Sequence, residues 1–291
     1  MAKITSSTAS VETEIFYQDF GTGRPVVLIH GWPLSHRMWE PQVPALNAAG
    51  FRTVAYDRRG FGHSGFPSGG YDYDTFAADL HDLMTELDLR DAVLVGFSMG
   101  GGEVARYLSR YGADRVSKVA LVASVTPYLM QTDDNPDGVP PSVFEGILEG
   151  IREDRPKFLA AFGKQFFNQG LLAHPVSQEV LDYAWTIAVM AQPQATVACA
   201  HAFAETDFRA DLAAFTVPTL IVHGAADQTV PITNSGDRTA EMIPSARYEV
   251  MDGAPHGLYQ THAEEFNRVL LDFLGAPSGA GSGRTADSAG A

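Results

Sequence analysis

The stretch AVLVGFSMGGGEVARYLSRY, Ala92 to Tyr111, restricts the fold more than any other part of the chain. Its unbroken apolar run is too short for a helix of its own, and it turns within a few residues into helical spacing. A strand apolar on both sides belongs in the interior of a mostly parallel sheet covered by helices on both faces. The rest of the chain repeats the theme. VVLIH at Val26–His30, RTVAYD at Arg52–Asp57, KVALVAS at Lys118–Ser124, VPTLIVHG at Val217–Gly224 and RYEVMD at Arg247–Asp252 read as further strands, with helical patterns such as DTFAADLHDLMTELDL between them. VETEIFYQD at Val11–Asp19 alternates like a half-exposed strand, and GTGRP after it suggests a hairpin with Val26–His30.

Between Thr126 and Phe215 the strand signal stops. PSVFEGILEGI, PKFLAAFGKQFF and SQEVLDYAWTIAVM carry helical spacing instead. The expected organisation is an α/β core over 1–125 and 216–274, with a helical cap over 126–215. GAPSGAGSGRTADSAGA has too little apolar surface to offset the entropy of ordering, so 275–291 is expected to be a flexible tail.

The serine at the corner after Phe97 has three readings: part of a phosphate-cradling loop, a structural turn, or a nucleophile presented to substrate. G-x-G-x-x-G and G-x-x-x-x-G-K-[ST] both fail to register here, no lysine follows the glycines, and Glu103 would oppose a phosphate. Gly96-Phe97-Ser98-Met99-Gly100 does match G-x-S-x-G, the strand-to-helix elbow that raises a serine hydroxyl above a sheet. With 28 glycines in 291 residues, a chance match is expected about 0.15 times per chain of this composition. The position directly between a strand and a helix makes the signal more specific than the pentapeptide alone.

A serine hydroxyl is a weak nucleophile and needs a base that is itself oriented by a carboxylate, in the chain order Ser, then Asp or Glu, then His. Of nine histidines, His256 in GAPHGL sits between the last strand and the last helix, whereas His262 falls within helical spacing. Asp227 in HGAADQTVP follows a buried strand in a turn. Asp252, at a strand end, and Asp237, on a helix, are weaker candidates. The backbone N–H groups of Trp32, after the strand ending at His30, and of Met99, at the helix start, are placed to form an oxyanion hole. Phe97, Val125, Phe158, Phe162, Val230 and Leu258 neighbour these loops or face them from the cap and are expected to bind substrate. Phe166, Phe167 and Trp185 are further cap aromatics.

Composition narrows the partners. A formal charge of −15 opposes nucleic acid and anionic membrane surfaces. No apolar run reaches membrane-spanning length, and MAKITSSTASVETEIF lacks the features of a secretory signal, so a cytoplasmic enzyme is expected. The lone Cys199, among apolar neighbours, reads as a small core residue. There is no H-E-x-x-H and no Cys or His cluster at ligand spacing, so no metal site is expected.

With these residues assembled, the chain from Phe20 to Leu274 resembles the α/β-hydrolase family. The resemblance rests on His30-Gly31-Trp32, DRRGFGHS at Asp57–Ser64, GFSMGGGEVARY, HGAAD and PHG. GFSMGGGEVARY with HGWPLSHRMW is similar, more narrowly, to the cofactor-free bacterial haloperoxidases, or perhydrolases, and their aryl esterase relatives. The resemblance implies an eight-stranded sheet with an inserted helical cap and a triad on Ser98, Asp227 and His256. It implies hydrolysis of small esters through an acyl-enzyme, and peracid formation when hydrogen peroxide replaces water, with no cofactor, heme or metal. Pro33 beside the oxyanion loop is a candidate for placing peroxide through its carbonyl. The implied partner is a small-molecule ester, with peroxide as a second reactant; homo-oligomer formation is left open. Cleavage of lactones, amides or C–C bonds by the same triad, a slow-turnover ligand receptor, and cofactor-free oxygenation are alternatives within the same fold.

Overall fold

The computed structural model describes residues 2–9 and 11–275. Its strands are β1 (Lys3–Ser6), β2 (Thr13–Phe20), β3 (Pro25–Ile29), β4 (Arg52–Tyr56), β5 (Ala92–Phe97), β6 (Val116–Val122), β7 (Thr219–Gly224) and β8 (Arg247–Met251). They form one eight-stranded sheet in the order β1-β2-β4-β3-β5-β6-β7-β8. β1 and β2, and β2 and β4, pair antiparallel, and every other pairing is parallel. The hairpin expected between Val11–Asp19 and Val26–His30 does not form. β4 lies between the two: PVVLI, buried along its whole length, takes a parallel strand on each side, β4 and β5, as a strand covered on both faces does, whereas β2, exposed toward Phe20, pairs antiparallel near the edge of the sheet.

The helices are α1 (Val43–Ala48), α2 (Tyr73–Glu86), α3 (Met99–Tyr111), α4 (Pro141–Phe166), α5 (Gln178–Val189), α6 (Pro193–Glu205), α7 (Gly236–Met242), α8 (Leu258–Thr261) and α9 (Ala263–Leu274). Strand residues alternate between two cores. Val27, Ile29 and Leu94 join Phe76 and Leu80 of α2, Val104 and Leu108 of α3 and Ile243 just after α7. Val26, Leu28, Val93 and Val95 face Leu46 of α1 and Phe266, Val269 and Leu270 of α9. The sheet is thus covered on both faces.

Helices α4, α5 and α6 intervene between β6 and β7. Two helices are expected from sequence over Pro141–Phe167, and α4 has both, joined at a kink. Asp154 leaves helical geometry (φ −156°, ψ 87°), its side chain accepts from the Lys157 N–H at 3.0 Å as an N-cap does, and Pro156 follows at a first-turn position. After α6 the chain returns to the sheet layer: Phe208 packs edge-on against Tyr73 at 4.6 Å, and Arg106 of α3 pairs with Asp211. Apart from Gly275, the segment 275–291 assigned to a flexible tail lies outside the described residues. No helix among the described residues is long and apolar enough to cross a membrane.

Candidate active site

Ser98 follows the last residue of β5 and precedes the first of α3, with φ 54° and ψ −118°. A side chain held at positive φ costs on the order of 1–3 kcal/mol, so the surroundings must over-determine it. They do so through backbone. The Ser98 N–H donates to Val122 O at 2.8 Å, and its carbonyl accepts from Gly101 N at 2.9 Å. The glycines on either side allow the crossing: a Cβ on Gly96 would lie 2.5 Å from Gly100 O, and one on Gly100 would lie 2.5 Å from Ile29 O.

The hydroxyl meets its partners from two other strand ends. Ser98 Oγ is 3.0 Å from His256 Nε2, and His256 Nδ1 is 2.6 Å from Asp227 Oδ2. All three residues are buried. The loop after β7 closes on Asp227 as an Asx turn, Oδ1 accepting from the Thr229 and Val230 amides at 2.9 and 2.8 Å. Burial by itself would raise the Asp227 carboxyl, but His256 and His223 beside it outweigh that and hold it well below the usual carboxylate range. The His256 ring is clamped between Phe97 and Phe166, each with its centroid 4.9 Å away. Asp252 is exposed on the surface, Asp237 accepts from the Tyr248 hydroxyl, and His262 contacts Thr261, so none of these joins the cluster.

Opposite the serine, the loop after β3 carries Gly31 and Trp32. A Cβ on Gly31 would lie 2.6 Å from the Phe97 ring and 3.0 Å from Ser98 Cβ, so only glycine lets this loop come so close. The Trp32 N–H meets no acceptor among the described residues, and Met99 opens α3 with its N–H outside the helical ladder. This loop is braced from below by a buried network that sequence reading does not anticipate. Arg58 bonds to Glu103 at 2.7 Å and donates to His30 O at 2.9 Å, Tyr56 donates to Glu103, and the Arg58 N–H donates to His30 Nε2 at 2.9 Å. His30 Nδ1 in turn bonds Gly31 O at 2.9 Å. Burial, with Arg58 alongside, pushes the His30 imidazole down to about 3, so it stays neutral and keeps one donor and one acceptor for the loop. The only local signal was a glutamate on the otherwise apolar face of α3.

Above the serine lies a cavity of about 620 Å³. Of the residues expected to bind substrate, Val125, Phe158, Phe162 and Val230 line it, together with Trp32, Ser98 and His256. Phe97 and Leu258 do not. Phe97 points to the opposite face of the sheet, against Trp39 and Tyr259, because successive strand residues alternate faces; Leu258 opens α8 and turns into the same core. Leu129, Val139, Phe144, Ile147 and Phe203 line the wall instead and are missed by sequence reading. Phe144 and Ile147 stand three apart on α4, a spacing that marks a shared face without saying what it faces. Trp185 is partly exposed and donates to Pro156 O, away from the cavity, while Phe166 and Phe167 pack against the His256 loop. Pro33 lines a separate cleft of about 20 Å³ with Leu159 and Phe162. Among the described residues, the cavity lining contains no lysine, arginine, aspartate or glutamate. Cys199 is buried, and burial pushes its thiol up to about 12, which leaves it unreactive.

The sheet order, the elbow and the two strand-end loops are those of one class. The chain belongs to the α/β-hydrolase fold family, whose profile matches residues 24–263. Within that class it is 46% identical over 263 residues to a non-heme chloroperoxidase of Kitasatospora aureofaciens, covering 90% of this chain and 96% of the relative. It is 38% identical over 264 residues to the bifunctional esterase/perhydrolase of Acinetobacter calcoaceticus, covering 90% and 96%. The crystal structure of a bromoperoxidase from Bacillus anthracis superposes with a TM-score of 0.90 at 50% identity, covering 94% of this chain and all of that one.

Proposed function

We propose that this protein is a serine hydrolase of small, uncharged carboxylic esters that also carries out perhydrolysis. The observation that carries the reading is the continuous hydrogen-bonded line from Ser98 Oγ through His256 to Asp227, at 3.0 and 2.6 Å, on the floor of an apolar cavity. In this reading His256 takes the Ser98 proton as the oxygen attacks the ester carbonyl, and Asp227 holds the imidazolium that forms. The Trp32 and Met99 N–H groups meet the developing oxyanion. His256 then returns the proton to the departing alcohol, leaving an acyl group on Ser98.

Release repeats the sequence with a second nucleophile. Water, deprotonated by His256, yields the carboxylic acid. Hydrogen peroxide in the same place yields the peracid, which carries its oxidising power into solution. The names of the relatives, a chloroperoxidase and an esterase/perhydrolase, support this second branch. The walls supply Val125, Phe158, Phe162 and Val230 to the two ends of the ester, and the absence of charged side chains in the lining disfavours a substrate that arrives ionised.

The test is turnover of an aryl acetate with and without peroxide, together with fluorophosphonate labelling. Ser98→Ala is expected to fold as the parent does, lose the label, and lose at least about a thousandfold in kcat with either nucleophile. Retained turnover in that variant refutes the assignment. Loss of ester hydrolysis alongside retained peracid formation refutes the shared acyl-enzyme.

A further inference from the structure

A second histidine touches the same carboxylate. His223, fully buried on β7, has Nε2 2.9 Å from Val230 O and 3.3 Å from Asp227 Oδ2. A carbonyl oxygen can only accept, so Nε2 carries the proton, and the N–H is directed at Val230 with its positive end beside the carboxylate. The other ring nitrogen, Nδ1, has no hydrogen-bond partner among the described residues. It faces the backbone of Gly236, where a Cβ would lie only 2.8 Å away. The two oxygens of Asp227 are therefore divided. Oδ1 takes the Thr229 and Val230 amides, while Oδ2 lies against both imidazoles.

We propose that His223 is a positioning residue for this site: it fixes the Val230 carbonyl, and so the whole 227–230 turn, and presents a second N–H dipole to the Asp227 oxygen that holds His256. The inference rests on the reading of Ser98, His256 and Asp227 as the reacting set. The turn it anchors also supplies Thr229, Val230 and Pro231 to the cavity wall, so one buried ring supports both the acid and part of the substrate pocket. Charged groups on the elements packed around it are engaged elsewhere. Asp237 on α7 accepts from Tyr248, Arg238 bonds Asn135, Glu241 is exposed, and on β8 Arg247 pairs with Glu249 and Asp272. His256 faces Ser98 and Asp227, its ring covered by Phe97 and Phe166.

Two amide substitutions separate positioning from space filling. Glutamine can set an N–H near the place of Nε2, and asparagine, one methylene shorter, cannot. His223→Asn is expected to lower kcat for an aryl acetate about tenfold with KM within about twofold, and to move the acid limb of the pH profile up by about half a unit. The limb moves up because a carboxylate that has lost a donor holds the proton on its imidazole partner more strongly. His223→Gln is expected to keep both kcat and the limb close to the parent. An unmoved limb in folded His223→Asn, with only a lowered melting temperature, overturns the proposal. If His223→Asn does not fold, His223→Leu, which fills the space without an N–H, takes its place: an unmoved limb there overturns the proposal, and a raised limb there beside a parental limb in His223→Gln supports it. Ser98→Ala in the same assay keeps the two readings apart. Turnover surviving that change brings down the site itself, whereas turnover lost there with an unmoved asparagine profile brings down only the role of His223.

Discussion

The Ser98 turn and the cavity wall above it are built in opposite ways. At the turn, position is set by backbone: strained φ/ψ, hydrogen bonds to Val122 and Gly101, and glycines at 31, 96 and 100 that leave no room for a Cβ. At the wall, position is set by side chains of α4, α6 and the loops beside them, Phe144, Phe158, Phe162 and Phe203, which touch through ring edges and faces. A reacting atom must be held to a fraction of an ångström, and backbone packed against backbone does this. A wall has only to exclude water and match a shape, which replaceable apolar groups can do.

By this contrast, the smallest possible insertion at the turn costs more than a large deletion at the wall. Gly100→Ala adds one carbon, yet that carbon would sit 2.5 Å from Ile29 O and 3.1 Å from His30 O, and neither backbone atom can swing aside. The expected result is a loss of about a hundredfold in kcat/KM on an aryl acetate, with about 1–3 kcal/mol of stability lost on denaturant unfolding. A parental kcat/KM in this variant breaks the comparison.

His30 tests the brace beneath the turn, with an intermediate effect. The folded protein holds this imidazole at about 3 against an ordinary 6.5, so below pH 6.5 the unfolded chain binds a proton that the folded one refuses. Its contribution to stability is therefore intact above 6.5 and declines as pH falls toward 3. At a pH of about 5 the decline amounts to about 2 kcal/mol. His30→Gln is expected to flatten the fall of the melting temperature between a pH of about 7 and about 5, and to lower kcat about tenfold as Gly31 loses its tether. Parallel melting curves for parent and variant across that range would remove His30 from the account.

The wall gives the smallest expected effect on turnover. Phe158→Ala removes a whole ring, but a half-buried one stacked on Phe162. Turnover of the acetate is expected to change by less than about threefold, while the butyrate-to-acetate ratio of kcat/KM rises about tenfold as the cavity lengthens. A chain-length series on both proteins measures this, and an unchanged ratio would take Phe158 out of the specificity wall.

The same division governs what can be read from the sequence. Ser98 is legible because strand, turn and helix lie within twenty residues and the glycines demanded by close approach are themselves letters in the sequence. Asp227 and His256 are legible as polar residues at strand ends, and the structure brings both within hydrogen-bonding distance of the line to Ser98. Phe97 and Leu258 are misplaced by the same kind of reading, since being next to a site in sequence says nothing about which face a side chain takes, and a step of one residue along a strand reverses it. The buried support of the Gly31–Trp32 loop is legible only in part: Glu103 stands out as an acidic residue on the apolar face of α3, but its pairing with Tyr56 and Arg58 at the end of β4 joins residues more than forty positions apart and has no local signature.

From its amino acids alone, this chain commits itself to a layered α/β architecture, to a serine raised at a strand-to-helix corner, and to an aspartate and a histidine at two later strand ends, because each depends on hydrophobic periodicity or backbone sterics acting over a few residues. Only tertiary folding decided that β4 would separate β2 from β3, which aromatics would face the cavity, and that a second imidazole would rest on Asp227. Those outcomes depend on which distant surfaces exclude water from one another, and that is a property of the folded chain as a whole.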